Sequence, residues 1–434
     1  MSFDGTIAYL YSLQQYGMKF GLDNIRTLMS ALGNPQDTFR SVHVAGTNGK
    51  GSVSAMTESM LRTAGVTTGL FTSPHLVSFT ERIRVNGREI PEADVVSLAE
   101  EVRRVAGDIP DFCPTFFEVT TAIAFLYFRK MKVDWAIVEV GMGGRLDATN
   151  ILMPELSIIT GIDFDHSEFL GETLQKIAGE KAGIIKKGRP VIAASQHAAV
   201  MDVMEQKAAE CGSSLAAYGK AFNAEITAED LTGITVDYHG EADYRKLAVQ
   251  LAGRHQAMNT AVAVRAIEAI TRAYPALRCD IRLGLRNVQW PGRLEFVQER
   301  PPVLIDGAHN PQAASVLAAY LKKALEVYSR IILVMGIMSD KDREGIMRPL
   351  LALASEIIFA APAYGRAASP EMLAAQARSL GYFPKTAASV SAALSLAEEL
   401  YTQGDLIVVT GSFYTIGEAK EALGHRGTLA RLRE

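Results

Sequence analysis

Cysteine is scarce. Cys113, Cys211 and Cys279 stand far apart in 434 residues, and no CxxC pair occurs. Neither a zinc site nor a disulfide framework is expected from that pattern, which suits reduced thiols in a cytosolic protein. An excess of positive charge is also missing: 44 Lys and Arg face 48 Asp and Glu, a net charge of -4. A sequence-independent nucleic-acid surface needs a basic excess and is therefore not expected. No uncharged apolar run reaches the ~20 residues that cross a bilayer. The first residues, MSFDGTIAYLYSLQQYG, lack the basic segment and apolar run of a signal peptide. The expectation is a cytoplasmic protein with neither a membrane nor a nucleic-acid partner. Repeats of fixed period and low-complexity tracts are absent too. So is any defensible Ser-His-Asp or Cys-His arrangement for covalent catalysis.

What is present suits a globular enzyme. Hydrophobic residues make up 48% and charged residues 21%, the usual balance of a soluble domain. The length is comfortable for two domains. Apolar strand-like runs alternate with helix-length segments, the pattern of a parallel sheet covered by helices. Strands are expected at Ser41–Ala45, Thr67–Phe71, Trp135–Val140, Leu156–Gly161 and Pro190–Ala194. Helices are expected over about Ser52–Ala64, Thr115–Lys130 and Leu174–Ile185. Short alternating runs between Ala221 and Leu251 suggest hairpins attached to the main sheet, followed by a helix over about Met258–Ala273. Four prolines and glycines punctuate Trp290–Pro302, the expected boundary. A fresh α/β pattern follows, with strands at Val303–Ile305, Arg330–Met335, Glu356–Ala360 and Leu406–Thr410. The expected fold is thus α/β in two domains. A larger phosphate-loop domain with a mostly parallel sheet covers 1–296, and a smaller Rossmann-like domain covers 297–434.

The sharpest local signal is Val42-His43-Val44-Ala45-Gly46-Thr47-Asn48-Gly49-Lys50-Gly51-Ser52. It is a strand, a glycine-rich turn and a helix start. Glycines let the backbone approach a polyphosphate, and the helix N-terminus adds partial positive charge. Lys50 can reach the β- and γ-phosphates, and Ser52 offers a hydroxyl to phosphate or metal. The spacing departs from the usual Walker pattern, because Gly51 intervenes before the hydroxyl. A bare strand-to-helix turn would need neither the lysine nor three glycines.

This loop resembles the signature of the folylpolyglutamate synthase/dihydrofolate synthase family, relatives of the Mur ligases. Other runs in the family's order support the resemblance. They are Phe71-Thr72-Ser73-Pro74-His75-Leu76, Glu81-Arg82-Ile83-Arg84-Val85-Asn86-Gly87, the long Glu139–Asn150 segment, Asp165-His166, Glu180-Lys181-Ala182-Gly183-Ile184, Pro291-Gly292-Arg293 and Asp306-Gly307-Ala308-His309-Asn310-Pro311. The resemblance implies an ATP-dependent carboxylate–amine ligase. Thr47, Asn48, Gly49, Lys50, Gly51 and Ser52 would hold ATP phosphates. Asn259 would meet adenine, Arg293 and His309 phosphate, and Asp306 ribose. Ser73, Glu139 and His166 would coordinate Mg²⁺, although a histidine is an unusual ligand for so hard an ion. Lys181, fifteen residues after His166, would be carbamylated and hold a second Mg²⁺. A monovalent cation is a further candidate. Lys50, His166 and Lys181 form the implied catalytic set.

Ser73, Pro74, His75, Phe116 and Phe117 would meet folate, although two adjacent phenylalanines are more often plain core. The run Pro114–Glu118 resembles bifunctional bacterial members. The implied substrates are ATP, L-glutamate and either dihydropteroate or tetrahydrofolate, handled by a monomer. The run Met335–Asp342 is either a face receiving glutamate or a solvated turn. One rival is a Mur-type ligase for peptidoglycan precursors, which carries an extra domain before the phosphate loop; only about 40 residues precede it here. The other rival is a phosphate-loop ATPase without ligase chemistry.

Overall fold

A computed structural model of the chain describes residues 1–17, 21–164 and 167–425. The first sheet contains β1 (Arg40–Ala45), β2 (Thr68–Phe71), β3 (Ile83–Val85), β4 (Arg88–Glu89), β5 (Trp135–Glu139), β6 (Leu156–Ile159), β7 (Val191–Ala193) and β8 (Leu215–Ala217). Its order is β4-β3-β2-β5-β1-β6-β7-β8. The pairs from β2 to β8 are parallel, and β3 and β4 extend the edge antiparallel. Central strands such as β5 (WAIVE) are buried throughout. That is why they read as continuous apolar runs, since helices cover both faces.

Two helices show how the sequence stops and starts elements. Phe116–Lys130 opens on a capping box in which Thr115 and Glu118 satisfy each other's backbone amides, and it ends on Arg129 and Lys130. Both features complement the helix ends. The helix Lys50–Arg62 instead opens at Gly49, which has φ 91° and no side-chain cap. Its first-turn amides therefore have no partner within the helix.

The segment expected as hairpins on the main sheet forms a sheet of its own. Here β9 (Asn223–Glu229), β10 (Ile234–His239) and β11 (Asp243–Val249) pair antiparallel in the order β11-β10-β9. The Tyr238 hydroxyl donates to Glu268 at 2.7 Å, fixing this sheet to the helix Gln256–Ala273. The alternating pattern gave its strands, while its attachment rests on Val236, Tyr238 and Leu247 packing in one core with that helix and on the bond to Glu268.

The second sheet contains β12 (Glu295–Glu299), β13 (Pro302–Ile305), β14 (Arg330–Met335), β15 (Glu356–Phe359), β16 (Lys385–Thr386) and β17 (Asp405–Thr410), in the order β12-β13-β17-β14-β15-β16. Only β12 runs antiparallel to its neighbour. It lies inside the stretch that punctuation marks as a boundary, so the second sheet begins before its prolines end.

Register decides where the chemistry can be. Val44 pairs with Glu139 and Ala45 with Ile159, while Phe71 pairs with Val138. Gly46, Ser73, Val140 and Thr160 therefore leave the sheet at one end, the carboxyl end where open α/β sheets bind ligands.

Candidate active site

Two cavities open at that end. The first, about 280 Å³, is bordered by the Gly46–Ser52 loop, Glu139, Lys181 and Asn259 from the larger domain. Arg293, Asp306, His309 and Phe413 close it from the other side. The second, about 800 Å³, is bordered by Phe116, Phe117 and Arg82, and by Asp340, Lys341, Arg366 and Tyr414 from the smaller domain. Ser73, Pro74, Gly141–Gly143, His309 and Phe413 border both. The cavities thus meet at a shared wall.

The phosphate loop is fixed at its base. The amides of Thr47 and Asn48 donate to the Gly161 carbonyl at 2.8 and 3.2 Å. The Lys50 ammonium folds back on the carbonyls of Gly46 and Thr47, 3.1 Å from each. Glycine is needed at two crowded points. A Cβ on Gly51 would lie 2.2 Å from the Trp290 ring, and one on Gly49 2.6 Å from Asn259 Oδ1. Gln256 joins Asn259 to this corner: it accepts from Asn259 at 2.9 Å and donates to Ser52 at 3.4 Å. An uncapped helix start, a lysine and a narrow glycine passage together fit a polyphosphate.

Glu139 is buried at the end of β5 and accepts from the Ser73 amide at 3.3 Å. Burial pushes its carboxyl up to about 6, against the opposing pull of Lys50, the Ser73 amide, Arg293 and Arg82. A buried carboxylate costs free energy unless a cation offsets it, so the Glu139 and Ser73 oxygens suit Mg²⁺. Among the described residues no three His, Cys, Asp or Glu side chains converge as a metal cluster. His166 lies outside the described residues. Lys181 is buried and donates to the Gly46 carbonyl at 2.8 Å, which puts it directly behind the phosphate loop.

The smaller domain supplies the opposite wall. Arg293, on the segment leading into the second sheet, is half-buried and lies 4.5 Å over the Phe413 ring. Burial draws its pKa down, and Asp306 and Glu139 raise it in part. Asp306 accepts from the amides of Leu294 and Ala308 at 3.0 and 2.9 Å, so its carboxylate also shapes the loop carrying Arg293. Burial pushes the Asp306 carboxyl up, countered chiefly by Arg293.

In the second cavity Phe116 stacks on Tyr11 at 5.4 Å, and Phe117 packs on Phe71 at 6.0 Å. Both are packed side chains that also form cavity wall. His75 lies behind that wall. Its Nδ1 accepts from Arg82 Nε at 2.6 Å, and its Nε2 is 3.0 Å from the Tyr11 hydroxyl. It is Arg82 that borders the cavity, 5.3 Å over the Phe116 ring.

The chain matches the Mur ligase middle domain over residues 44–267 and the Mur ligase glutamate ligase domain over 292–413. It is 36% identical over 427 residues to the dihydrofolate synthase/folylpolyglutamate synthase of Bacillus subtilis, covering 96% of this chain and 98% of that one. The Escherichia coli protein of the same name is 33% identical over 97% of this chain and 95% of its own. A structure of Mycobacterium tuberculosis folylpolyglutamate synthase with ADP superposes with a TM-score of 0.89 at 32% identity, covering 98% and 99% of the two chains. The chain belongs to the folylpolyglutamate synthase/dihydrofolate synthase family. It is an ATP-dependent acid–amino-acid ligase with the two-domain fold of that family. Matches along the whole length favour this reading over a peptidoglycan-precursor ligase or an ATPase without ligase chemistry. Among the described residues no helix is long and apolar enough to cross a membrane.

Sequence reasoning gave no role to several residues that this folate-ligase family member places on the cavity walls. Arg82 is one. Trp290 borders neither cavity but packs over Gly51 beside them, and it too carried no assigned role. Tyr364 and Tyr414, stacked at 4.1 Å, border the second cavity together with Arg366. A buried arginine in a run such as Glu81-Arg82-Ile83-Arg84 carries no signal until β2 and β3 are paired.

Proposed function

We infer that this ligase joins L-glutamate to a folate carboxylate by way of an acyl phosphate, on dihydropteroate as well as on tetrahydrofolate. The shared wall between the two cavities is the observation that carries the reading. ATP in the smaller cavity would present its γ-phosphate where a carboxylate entering from the larger one arrives. The relatives' complexes with ADP, with AMPPCP, and with DHPP and ADP support the nucleotide and the pterin.

The carboxylate oxygen attacks the γ-phosphorus, and ADP leaves. The glutamate amine then attacks the acyl carbon, and phosphate leaves with the bonding pair. Lys50 and Arg293 neutralise charge that grows as the phosphoryl group moves. The Gly49–Ser52 backbone holds the phosphates, and Asn259 and Asp306 hold adenine and ribose. Glu139, Ser73 and His166 would hold one Mg²⁺, and a carbamate on Lys181 a second. A metal held there would supply Lewis-acid neutralisation of the phosphate oxygens. A monovalent cation would sit in the same anionic region.

Phe116 and Phe117 face the pterin, and Lys341 and Arg366 offer cationic contacts to glutamate carboxylates. The reading includes a cytoplasmic monomer; the expected domain division at residues 296 and 297 falls inside β12 (Glu295–Glu299), which already belongs to the second sheet. The two pterins present carboxylates at different depths, so narrowing the aromatic wall should alter their ratio. Phe117→Trp is expected to change the relative rates of glutamate-dependent ADP release with dihydropteroate and tetrahydrofolate. Lys50→Ala is expected to lower both by ~10²-fold or more. Dihydropteroate giving no release above background would remove the dual activity, and near-normal rates in Lys50→Ala would remove the loop's role.

A further inference from the structure

His309 borders both cavities, at the point where an acyl phosphate would meet the incoming amine. Its Nδ1 lies 2.8 Å from the Gly307 carbonyl oxygen. A carbonyl oxygen can only accept, so Nδ1 carries a hydrogen. In the neutral ring the lone pair is therefore on Nε2. The Phe413 ring, 5.3 Å away and tilted by 50°, backs the imidazole, and Phe413 itself borders both cavities.

A neutral ring held in this tautomer is poorly suited to the phosphate contact that the family resemblance implies. Nε2 would bring a lone pair, not a hydrogen, to oxygens that are themselves acceptors. It is suited to taking a proton. The amine of an amino acid is largely an ammonium near neutral pH, and an ammonium has no lone pair with which to attack. The carboxylates bordering the cavities hold other groups as well: Glu139 accepts from the Ser73 amide, and Asp340 pairs with Arg366. Asp306 accepts two backbone amides, Glu118 accepts from Thr115 and Asn24, and Glu180 binds Arg145.

We propose that His309 is the general base of the ligation step, taking the proton of the attacking amine on Nε2. The proposal rests on the ligase reading above. Nε2 removes one proton from the ammonium nitrogen of glutamate. The freed pair forms the C–N bond to the acyl carbon, and the C–O bond to phosphate breaks with its electrons going to phosphate. The imidazolium, now a donor on Nε2, contacts the departing phosphate and returns its proton to it or to water. Any phosphate contact by His309 thus follows proton transfer.

The test uses His309→Asn, which keeps a donor near Gly307, and His309→Gln, which places an amide donor near the Nε2 position. Each is assayed with ATP, Mg²⁺ and dihydropteroate, once with glutamate and once with hydroxylamine. Hydroxylamine is uncharged near neutral pH, so it traps an acyl phosphate as hydroxamate without a base. Glutamate ligation should fall by ~10²-fold or more in both variants while hydroxamate formation changes little. The residual ligation should recover with rising pH, as more free amine is present. Loss of both reactions together, or rescue of ligation by His309→Gln alone, would make His309 a phosphate contact and overturn the proposal. Retention of both reactions would overturn it as well. Failure of the wild-type enzyme to form hydroxamate would instead undo the acyl-phosphate reading beneath it, and the proposal with it.

Discussion

Asn310 Nδ2 donates to Asn48 Oδ1 at 3.1 Å, linking the phosphate loop of one domain to the first residue before a helix of the other. Asn48 answers by donating to Gln312 Oε1. Asn310 also caps its own helix, accepting from the Ala313 amide at 2.9 Å. The nucleotide loop and the helix start facing it therefore share side chains. Two neutral hydrogen bonds contribute roughly 1–3 kcal/mol together. Asn48→Ala should raise the KM for ATP by about 10-fold, with little loss of thermal stability. Asn310→Ala should do the same and also lose about 1 kcal/mol of stability, because a helix cap goes with it. Steady-state kinetics and thermal melts of the two single variants and the double variant check this. Strict additivity of the two effects on KM would show that the pair is not coupled.

Gly51 is crowded by Trp290 from the interdomain segment, so a methyl group there cannot be accommodated without moving the indole. Gly51→Ala should lose ligase activity through displacement of Trp290 and of the loop. Trp290→Ala introduced into the same chain should return part of it by making room. Activity measured on both proteins decides the matter, and a double variant no better than Gly51→Ala would locate the defect elsewhere.

Carbamylation of Lys181 should be visible directly. Labelled CO₂ supplied at neutral to mildly alkaline pH should give a carbamate carbon resonance that disappears in Lys181→Ala. That variant should ligate poorly, and added short carboxylates should restore part of the rate by replacing the lost anion. A spectrum unchanged by the substitution would show that the lysine is unmodified.

His43 supplies a pH prediction in the core. It is buried in β1 with Nε2 2.8 Å from Thr149 Oγ1, and burial draws its pKa from 6.5 down to about 3, with a smaller contribution from Lys186. The unfolded chain takes up a proton near pH 6.5, which the folded chain refuses until about pH 3. Stability from this group is complete above pH 6.5 and is lost as pH falls through that window, at a slope of roughly 1.4 kcal/mol per pH unit. His43→Gln can keep a bond to Thr149 but cannot titrate. Its stability should therefore fall less steeply than that of the wild type between pH 6.5 and about 4 in urea denaturation. Parallel slopes would show that His43 does not couple to folding.

Legibility in the sequence followed the range of the interactions. The phosphate loop could be read because its glycines, lysine and helix start are contiguous, although the helix begins at Lys50 rather than Ser52. The parallel strands could be read because burial on both faces leaves them apolar throughout. The helix expected over Leu174–Ile185 ends at Ala182. β12 was hidden by the surrounding prolines and glycines, because an edge strand tolerates such neighbours. The links from His75 to Arg82 and Tyr11, and the stack of Tyr364 on Tyr414, join residues whose meeting depends on the complete fold. No local pattern marks them.

The central claim is that a folate carboxylate is activated by direct phosphorylation before glutamate arrives. Dihydropteroate carrying heavy oxygen in its carboxylate tests it most directly. After one round of ligation with ATP and glutamate, the released phosphate should contain one heavy oxygen and the new amide the other. Phosphate without label, or ADP release that needs neither the pterin nor glutamate, would contradict the account.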